Sequence, residues 1–389
     1  MSYNLTIVLP PRGSIVRELV FNAILSLANS GISQGHISYT KYTGRSITLT
    51  FLSQDHILRA FGTTIKYVKT LYKLKTERVA YRIPVHVNDR KVFKNIANLD
   101  PDGYLEGFNS MLDHYAQKLE ALELSNLADV KVTGRRIVLG SGENVLLQPL
   151  AVERYETGTD FMHGIGASGK LEIKLSDEWY LLVSIGFMAE FLSYTRGEIL
   201  LFSFTEDKMA EILGNFLPEY DIFMLSLAKV AGERAYATCS MHALYLLLAL
   251  DIYEKLQEAL TSRKLDIEKY LDKIGLLPTL LTRINYAART FTLLERSNLE
   301  LSTLLKFVHK LSQKGLGSRQ RRQLEGALDR AMRGLGDLSR LGSYINFATL
   351  LHEAVNYAKD PFYTVYRAVR EEVITDSRLV RGLIESLME

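Results

Sequence analysis

Over Leu5 to Leu9 the chain opens on a short β-prone run, which Pro10 and Pro11 stop. The period then lengthens to that of a helix. Ser14 can cap a segment that puts Val16, Leu19, Val20, Ala23, Ile24 and Leu27 on one face, with Gly31 as its close. His36 to Lys41 and Arg45 to Phe51 return to the strand period, joined by a turn at Thr43-Gly44. Ser53 can cap a second helix, Gln54 to Lys75, with Ile57, Phe61, Ile65, Val68 and Tyr72 on one face. Val79 to Val87 reads as a further strand, at a sheet edge because Pro84 has no amide proton to donate. The order β-α-β-β-α-β is that of the ferredoxin-like fold, which RNA-recognition domains share.

Helical spacing of Tyr104, Phe108, Leu112, Tyr115 and Leu119 predicts helix within 95–128. Alternation and turn glycines from Val130 to Glu156 predict a small antiparallel sheet. Gly164 to Gly169 reads as a loop, Leu171 to Leu175 as a strand, and Ser176 as the cap of an apolar helix with Asp177 and Glu178 in its first turn. Ile199 to Phe204 reads as a strand, and Thr205 with Lys208 as the start of another helix. After Pro218 strand signals almost vanish. Helical periodicity runs to the end, broken near Ser262, Gly275–Pro278, Ser297–Asn298, Gly315–Ser318, Gly334–Gly336 and Asp360–Pro361, which predicts a bundle of six or more helices. The expected class is α+β, with a basic ferredoxin-like domain over 1–94, a mixed helix and sheet region over 95–217 and a helical bundle over 218–389.

Charge changes this picture most. Residues 1–94 hold fourteen Lys and Arg against four Asp and Glu, an excess of +10, whereas the whole chain of 389 residues is only +3. The remainder is therefore −7. A local field of this kind attracts polyanions, of which nucleic acid is the commonest. The single cysteine, Cys239, excludes an intramolecular disulfide and any multi-cysteine metal site. Its apolar surroundings predict a buried, inert thiol. The N-terminus lacks the pattern of a signal peptide, and no apolar run reaches the roughly 18 residues of a membrane span. The run Leu244 to Leu250 ends at Asp251. A cytoplasmic protein is expected, and sparse Cys with abundant Lys, Arg and Glu fits a thermophile.

Within the basic part, Arg59, Lys66, Lys69 and Lys73 cluster beside the apolar stripe of the second helix, with no acid between Asp55 and Glu77. Such a stripe can follow a phosphate backbone; an ordinary solvated face would mix signs. On the strand after the turn, Ile47, Leu49 and Phe51 share one face, and Ser46, Thr48 and Thr50 the other. The apolar face should bury, leaving hydroxyls outward, so this sheet is expected to offer no stacking ring. Lys41 and Arg45 remain candidates for phosphate contact at the hairpin. A second basic cluster runs from Lys306 to Arg340. After the glycines of Gly315-Leu-Gly-Ser318, Arg319, Arg321 and Arg322 open a helix, where cations oppose the helix dipole unless an anion binds there. The alternative is that these arginines splay into solvent or reach carboxylates.

Other motifs fail on context. His163 to Lys170 satisfies both G-x-G-x-x-G and G-x-x-x-x-G-K, but Leu171 stands where a magnesium-binding hydroxyl belongs, and a strand rather than a helix should follow. No nucleotide cofactor is expected there. His352-Glu353-Ala-Val-Asn356 has Asn in place of the second zinc-binding His, and the eight histidines form no metal spacing. No catalytic motif is complete, so neither catalytic nor metal-binding residues are expected.

A basic α/β start, a mixed middle and a helical end resemble the large subunit of archaeal type I-A CRISPR surveillance (Cascade) complexes, an antiviral defence system. The resemblance lies in the layout along most of the chain. It implies a non-enzymatic subunit that contacts the duplex motif beside the target DNA, helps open the DNA and takes part in docking a helicase–nuclease, alongside guide RNA and other subunits. Two other classes stay open from the residues alone: an enzyme on RNA or nucleotides with a dispersed site, and a scaffold whose basic corners bind acidic proteins.

Overall fold

The computed structural model describes residues 2–133, 136–152, 172–206, 218–274, 279–287, 290–314, 317–357 and 359–388. The chain divides into two compact units, one of Met1–Met224 with Leu280–Ser297, the other of Leu225–Thr279 with Asn298–Glu389. Residues 1–94 and 95–217, separate regions by charge and period, thus lie in a single unit.

In the first unit β1 (Tyr3–Val8), α1 (Ile15–Ser33), β2 (Ile37–Tyr42), β3 (Ser46–Phe51) and α2 (Gln54–Lys75) follow in the expected order. β3 lies between the other two strands and is antiparallel to both. The fourth strand of a ferredoxin-like unit is not formed. Val79 to Val87 makes one isolated bridge, Pro84 to Gly103, and Val87 already opens α3 (Val87–Ala97). His86 caps that helix, its Nδ1 accepting from the Asn88 amide at 3.2 Å. A capped helical stripe of Asp89, Phe93 and Ile96 prevails over a strand that Pro84 cannot complete. The free edge of β1 packs instead against the 3-10 turn Leu124–Ala128.

After α4 (Tyr104–Lys118) come β4 (Val130–Thr133), β5 (Arg136–Leu139), β6 (Asn144–Val145) and β7 (Glu172–Leu175). Their order is β4-β5-β7-β6, and β5–β7 is parallel, so this sheet is mixed rather than wholly antiparallel. A parallel pair needs a connection of a dozen or more residues, and the chain between Leu139 and Glu172 is long enough for one. The glycine loop at 164–169 and Lys208 lie outside the described residues.

α5 (Asp177–Glu190) follows β7 as expected. A third sheet, ordered β11-β10-β9-β8, contains β8 (Phe191–Thr195), β9 (Glu198–Phe204), β10 (Thr279–Ala287) and β11 (Thr290–Leu299). The last two strands correct the expectation that strands end near Pro218. Their signal is a run of β-prone residues with four threonines, of which Thr279, Leu281, Thr282 and Ile284 are buried.

α1 is the centre of this unit and is buried from Ile15 through Gly31 except at Glu18, which is half-buried. By length and composition it would suffice to cross a bilayer, contrary to the sequence reading, but nearly all of it is buried inside the protein. It packs on α5 at a point where a Cβ on Gly186 would lie 2.0 Å from the Leu19 carbonyl oxygen.

The second unit is helical. α6 (Pro218–Glu233) belongs partly to each unit. α7 (Met241–Ser262), α8 (Ile267–Ile274), α9 (Leu301–Gln313), α10 (Ser318–Arg333), α11 (Leu338–Tyr357), α12 (Pro361–Arg370) and α13 (Ser377–Met388) complete it. α7 packs against α9, α10 and α11. Cys239 is exposed in the loop before α7, where no helical stripe turns it inward, so the expected buried thiol is corrected. Asp251 on α7 accepts from the Tyr236 hydroxyl at 2.6 Å and lies 3.4 Å from Arg234. Burial nevertheless pushes its carboxyl up to about 6.

His352 on α11 faces His242 on α7, with the two Nδ1 atoms 3.1 Å apart. The Asn356 amide donates to the His352 carbonyl at 3.0 Å and, from the same nitrogen, to His352 Nε2 at 3.0 Å. Burial, reinforced by His242, lowers the His352 pKa to about 4.

The packing sets opposite signs for two glycine substitutions. Gly186→Ala sets a methyl against backbone that no rotamer change relieves, and should cost at least the ~1–3 kcal/mol of ordinary overpacking. Gly326→Ala, inside α10 with nothing within 4 Å of the new Cβ, should raise stability by about 0.5–1 kcal/mol; urea unfolding distinguishes the two signs. Between pH 6.5 and 4 an unfolded His352 takes up a proton that the native one refuses. Native stability should therefore fall as pH drops through that window. His352→Gln should show a smaller drop in melting temperature than the parent when both are taken from neutral to mildly acidic buffer.

Candidate nucleic-acid interface

The sequence of β2, Ile-Ser-Tyr-Thr-Lys-Tyr, would put Ile37, Tyr39 and Lys41 on one face if it alternated regularly. It does not. Ile37 pairs with Phe51 but Tyr39 with Thr50, so Ser38 is an inserted residue, a β-bulge. Beyond it the faces exchange. Thr40 and Tyr42 turn inward opposite Leu49 and Ile47, while Tyr39 and Lys41 turn outward opposite Thr50 and Thr48. Tyr39 is 60% exposed and Lys41 is exposed.

The outer face of β3 carries the expected hydroxyls, with Thr48 bonded to Thr6 at 3.2 Å and Thr50 donating to Asn4 at 2.9 Å. The expectation that this sheet offers no ring is corrected by Tyr39. Beside it lie Lys41 and, in the turn, Arg45, both exposed and without an ion pair among the described residues. Gly44 at φ +79° makes the turn possible.

An internal network fixes this hairpin. Arg17 of α1, buried, donates to Glu206 at 2.6 and 2.7 Å, to the Gly44 carbonyl at 2.7 Å and to the Pro10 carbonyl at 2.5 Å. The inward Tyr42 hydroxyl donates to the same Glu206 carboxylate. Burial alone would raise the Glu206 pKa, but the bonds from Arg17 and Tyr42 hold it below the usual carboxylate value.

On α2, Arg59, Lys66 and Lys73 are exposed and stand seven residues apart, a drift of only about 20° per step. No carboxylate pairs with them among the described residues. Lys69, read as part of the same stripe, is half-buried and bonded to Asp113 of α4. Lys75 points the other way. It is 2% exposed, and its Nζ donates to the Met188 and Ala189 carbonyls at 2.8 and 2.7 Å, the last turn of α5. Burial lowers its pKa to about 7. Of the fourteen cations in residues 1–94, ten are exposed, against two of the four acids, so the positive surface survives these losses.

In the second unit Gly317 is the N-cap of α10 with no side-chain cap, and residues 315 and 316 lie outside the described residues. Arg319 is exposed and 3.8 Å from Asp376; Arg322 is exposed and has no carboxylate partner among the described residues. Arg321 is not available to an anion. Its guanidinium bonds Glu325 at 2.5 Å and Glu254 at 2.7 Å, because the i,i+4 position of Glu325 draws it back along the helix. It is a structural ion-pair partner, and the three arginines do not act as a set.

The loop His163 to Lys170 lies outside the described residues. Among those described, no group of three or more His, Cys, Asp or Glu is placed to hold a metal. No protein-family model matches the chain, and no curated protein matches it significantly.

The hairpin network yields a prediction. Arg17→Met leaves the Glu206 carboxylate without its countercharge and should cost about 3 kcal/mol, the low end for a buried pair because Glu206 keeps 20% exposure. Because Glu206 has a native pKa below its unfolded value of 4.5, its contribution is present above pH 4.5 and lost as pH falls through the native value. Acid unfolding should therefore be less steep in Arg17→Met than in the parent, as followed by circular dichroism.

Proposed function

We propose that the chain binds single-stranded nucleic acid on the open face of the β1-β3-β2 sheet. The observation that carries this reading is the bulge at Ser38, which turns Tyr39 and Lys41 outward together. An exposed ring can stack an unpaired base, and a cation two residues on can meet the adjoining phosphate. The hydroxyls of Thr6, Thr48 and Thr50 offer donors and acceptors to sugars and base edges. Arg45 extends the positive surface at the hairpin, and Arg59, Lys66 and Lys73 form a second line of phosphate-binding groups along α2. No catalytic step is part of this reading. The layout of a basic α/β part before a helical one favours, more narrowly, a DNA- and RNA-contacting subunit of an RNA-guided CRISPR complex.

Fluorescence anisotropy with labelled RNA, single-stranded DNA and duplex DNA of about 20 nucleotides, at several salt concentrations, tests the reading. Binding should be strongest to a single strand. Tyr39→Ala with Lys41→Glu and Arg45→Glu should weaken it at least tenfold. The salt slope should flatten by about 1.4, since Lys41 and Arg45 would each cease to neutralise one phosphate of a single strand. A correctly folded triple variant that binds like the parent overturns it.

A further inference from the structure

α12 turns an apolar face the wrong way for a helix in a water-soluble bundle. Thr364, Val365 and Ala368 are buried and hold it in place. On the opposite side Phe362, Tyr363, Tyr366 and Val369 are 56, 54, 66 and 42% exposed, and Tyr357 just before the helix is 69% exposed. At 100° per residue, positions 362, 363, 366, 369 and 370 fall within an arc of about 120°. Three aromatic rings on one exposed face is a feature that an isolated surface does not need.

We infer that this face is a second platform for single-stranded nucleic acid, separate from the sheet of the first unit. The inference rests on the reading of the chain as a nucleic-acid binder. Phe362, Tyr366 and Arg370 stand four residues apart, about 6 Å along the axis, so two rings and a planar guanidinium form one row on which successive bases can stack. Arg370 is exposed and is the one charge on that face among the described residues. The neighbouring charges are internally matched: Arg367 bonds Glu371 at 2.8 Å, Lys359 bonds Glu353 at 2.6 Å, and Asp360 caps the Phe362 amide.

The segment after α12 is tied to α10 by Gln323 to Thr375 at 2.8 Å and Gln320 to Asp376 at 3.1 Å, and Arg319 lies 3.8 Å from Asp376. The face carries no carboxylate among the described residues, so a second copy of it would leave Arg370 without a counter-ion, whereas the phosphate between two stacked bases supplies one.

Anisotropy of labelled oligouridylate and oligothymidylate, about 15 nucleotides long to cover one stacking groove, tests this with four full-length proteins. They are the parent, the Tyr39→Ala/Lys41→Glu variant, a Phe362→Ala/Tyr363→Ala/Tyr366→Ala variant, and their combination. The α12 variant should keep the parent's melting temperature within a few degrees. It should bind at least tenfold more weakly than the parent, and should also remove the binding left in the Tyr39/Lys41 variant. If the α12 variant binds like the parent in both backgrounds, the inference is overturned while the reading of the sheet stands. If only the α12 variant weakens binding, the reading of the sheet fails and this one stands. Sedimentation showing that the parent self-associates and the α12 variant does not, with nucleic-acid binding unchanged, assigns the face to a second copy and also overturns the inference.

Discussion

Lys75 sets the orientation on which the first unit's surface depends. Its ammonium is withdrawn from water and satisfied by two carbonyls in the last turn of α5, the negative end of that helix's dipole. Burial pushes the Lys75 pKa down to about 7 and that of the adjacent buried Glu190 well up, so both groups move toward their neutral forms. The arrangement tolerates two ionisable groups in a core at the cost of fixing where each must point. Since Lys75 must face α5, α2 cannot roll, and Arg59, Lys66 and Lys73 are held outward. α5 itself is held against α1 by the contact that only a glycine at position 186 permits.

The sheet is positioned from the other end of α1. Arg17 ties the helix start to the Gly44 carbonyl of the hairpin and to Glu206, and Tyr42 reaches the same carboxylate. The inward pull on Tyr42 and the outward display of Tyr39 are one event, because the bulge that reverses the faces does both. A buried ion pair contributes little net stability by itself. Here its effect is specificity: the strand register with Tyr42 inside keeps the pair satisfied, and a one-residue slip would strand Arg17 and Glu206.

Much of this was legible. The stripes of α1 and α2, the alternation of β3 and the cap at Ser176 were plain because each is a local periodic signal. The direction of Lys75 was also written in the sequence, since it follows Val68 by seven residues and so falls on the apolar stripe, although its charge argued for the surface. Arg321 likewise stood four residues before Glu325. The bulge in β2 was not legible, because nothing in Ile-Ser-Tyr-Thr-Lys-Tyr marks the extra residue; it is imposed by Tyr42 reaching Arg17 and Glu206, which are far away in sequence. The β10–β11 hairpin was missed for a similar reason. Its partner strand β9 lies far earlier in the chain, and its own alternation is interrupted by charged and amide side chains.

The bulged strand presents a base-stacking ring beside a phosphate-binding cation, and on that juxtaposition the functional reading turns. Photo-crosslinking of a thiouridine-substituted single-stranded RNA to the full chain, with the adducts located by mass spectrometry, tests it most directly. Adducts are expected on Tyr39 and its neighbours in Ile37–Tyr42, disappearing on addition of excess unlabelled single strand. Adducts confined to other segments, with β2 unmodified at saturating RNA, would contradict it.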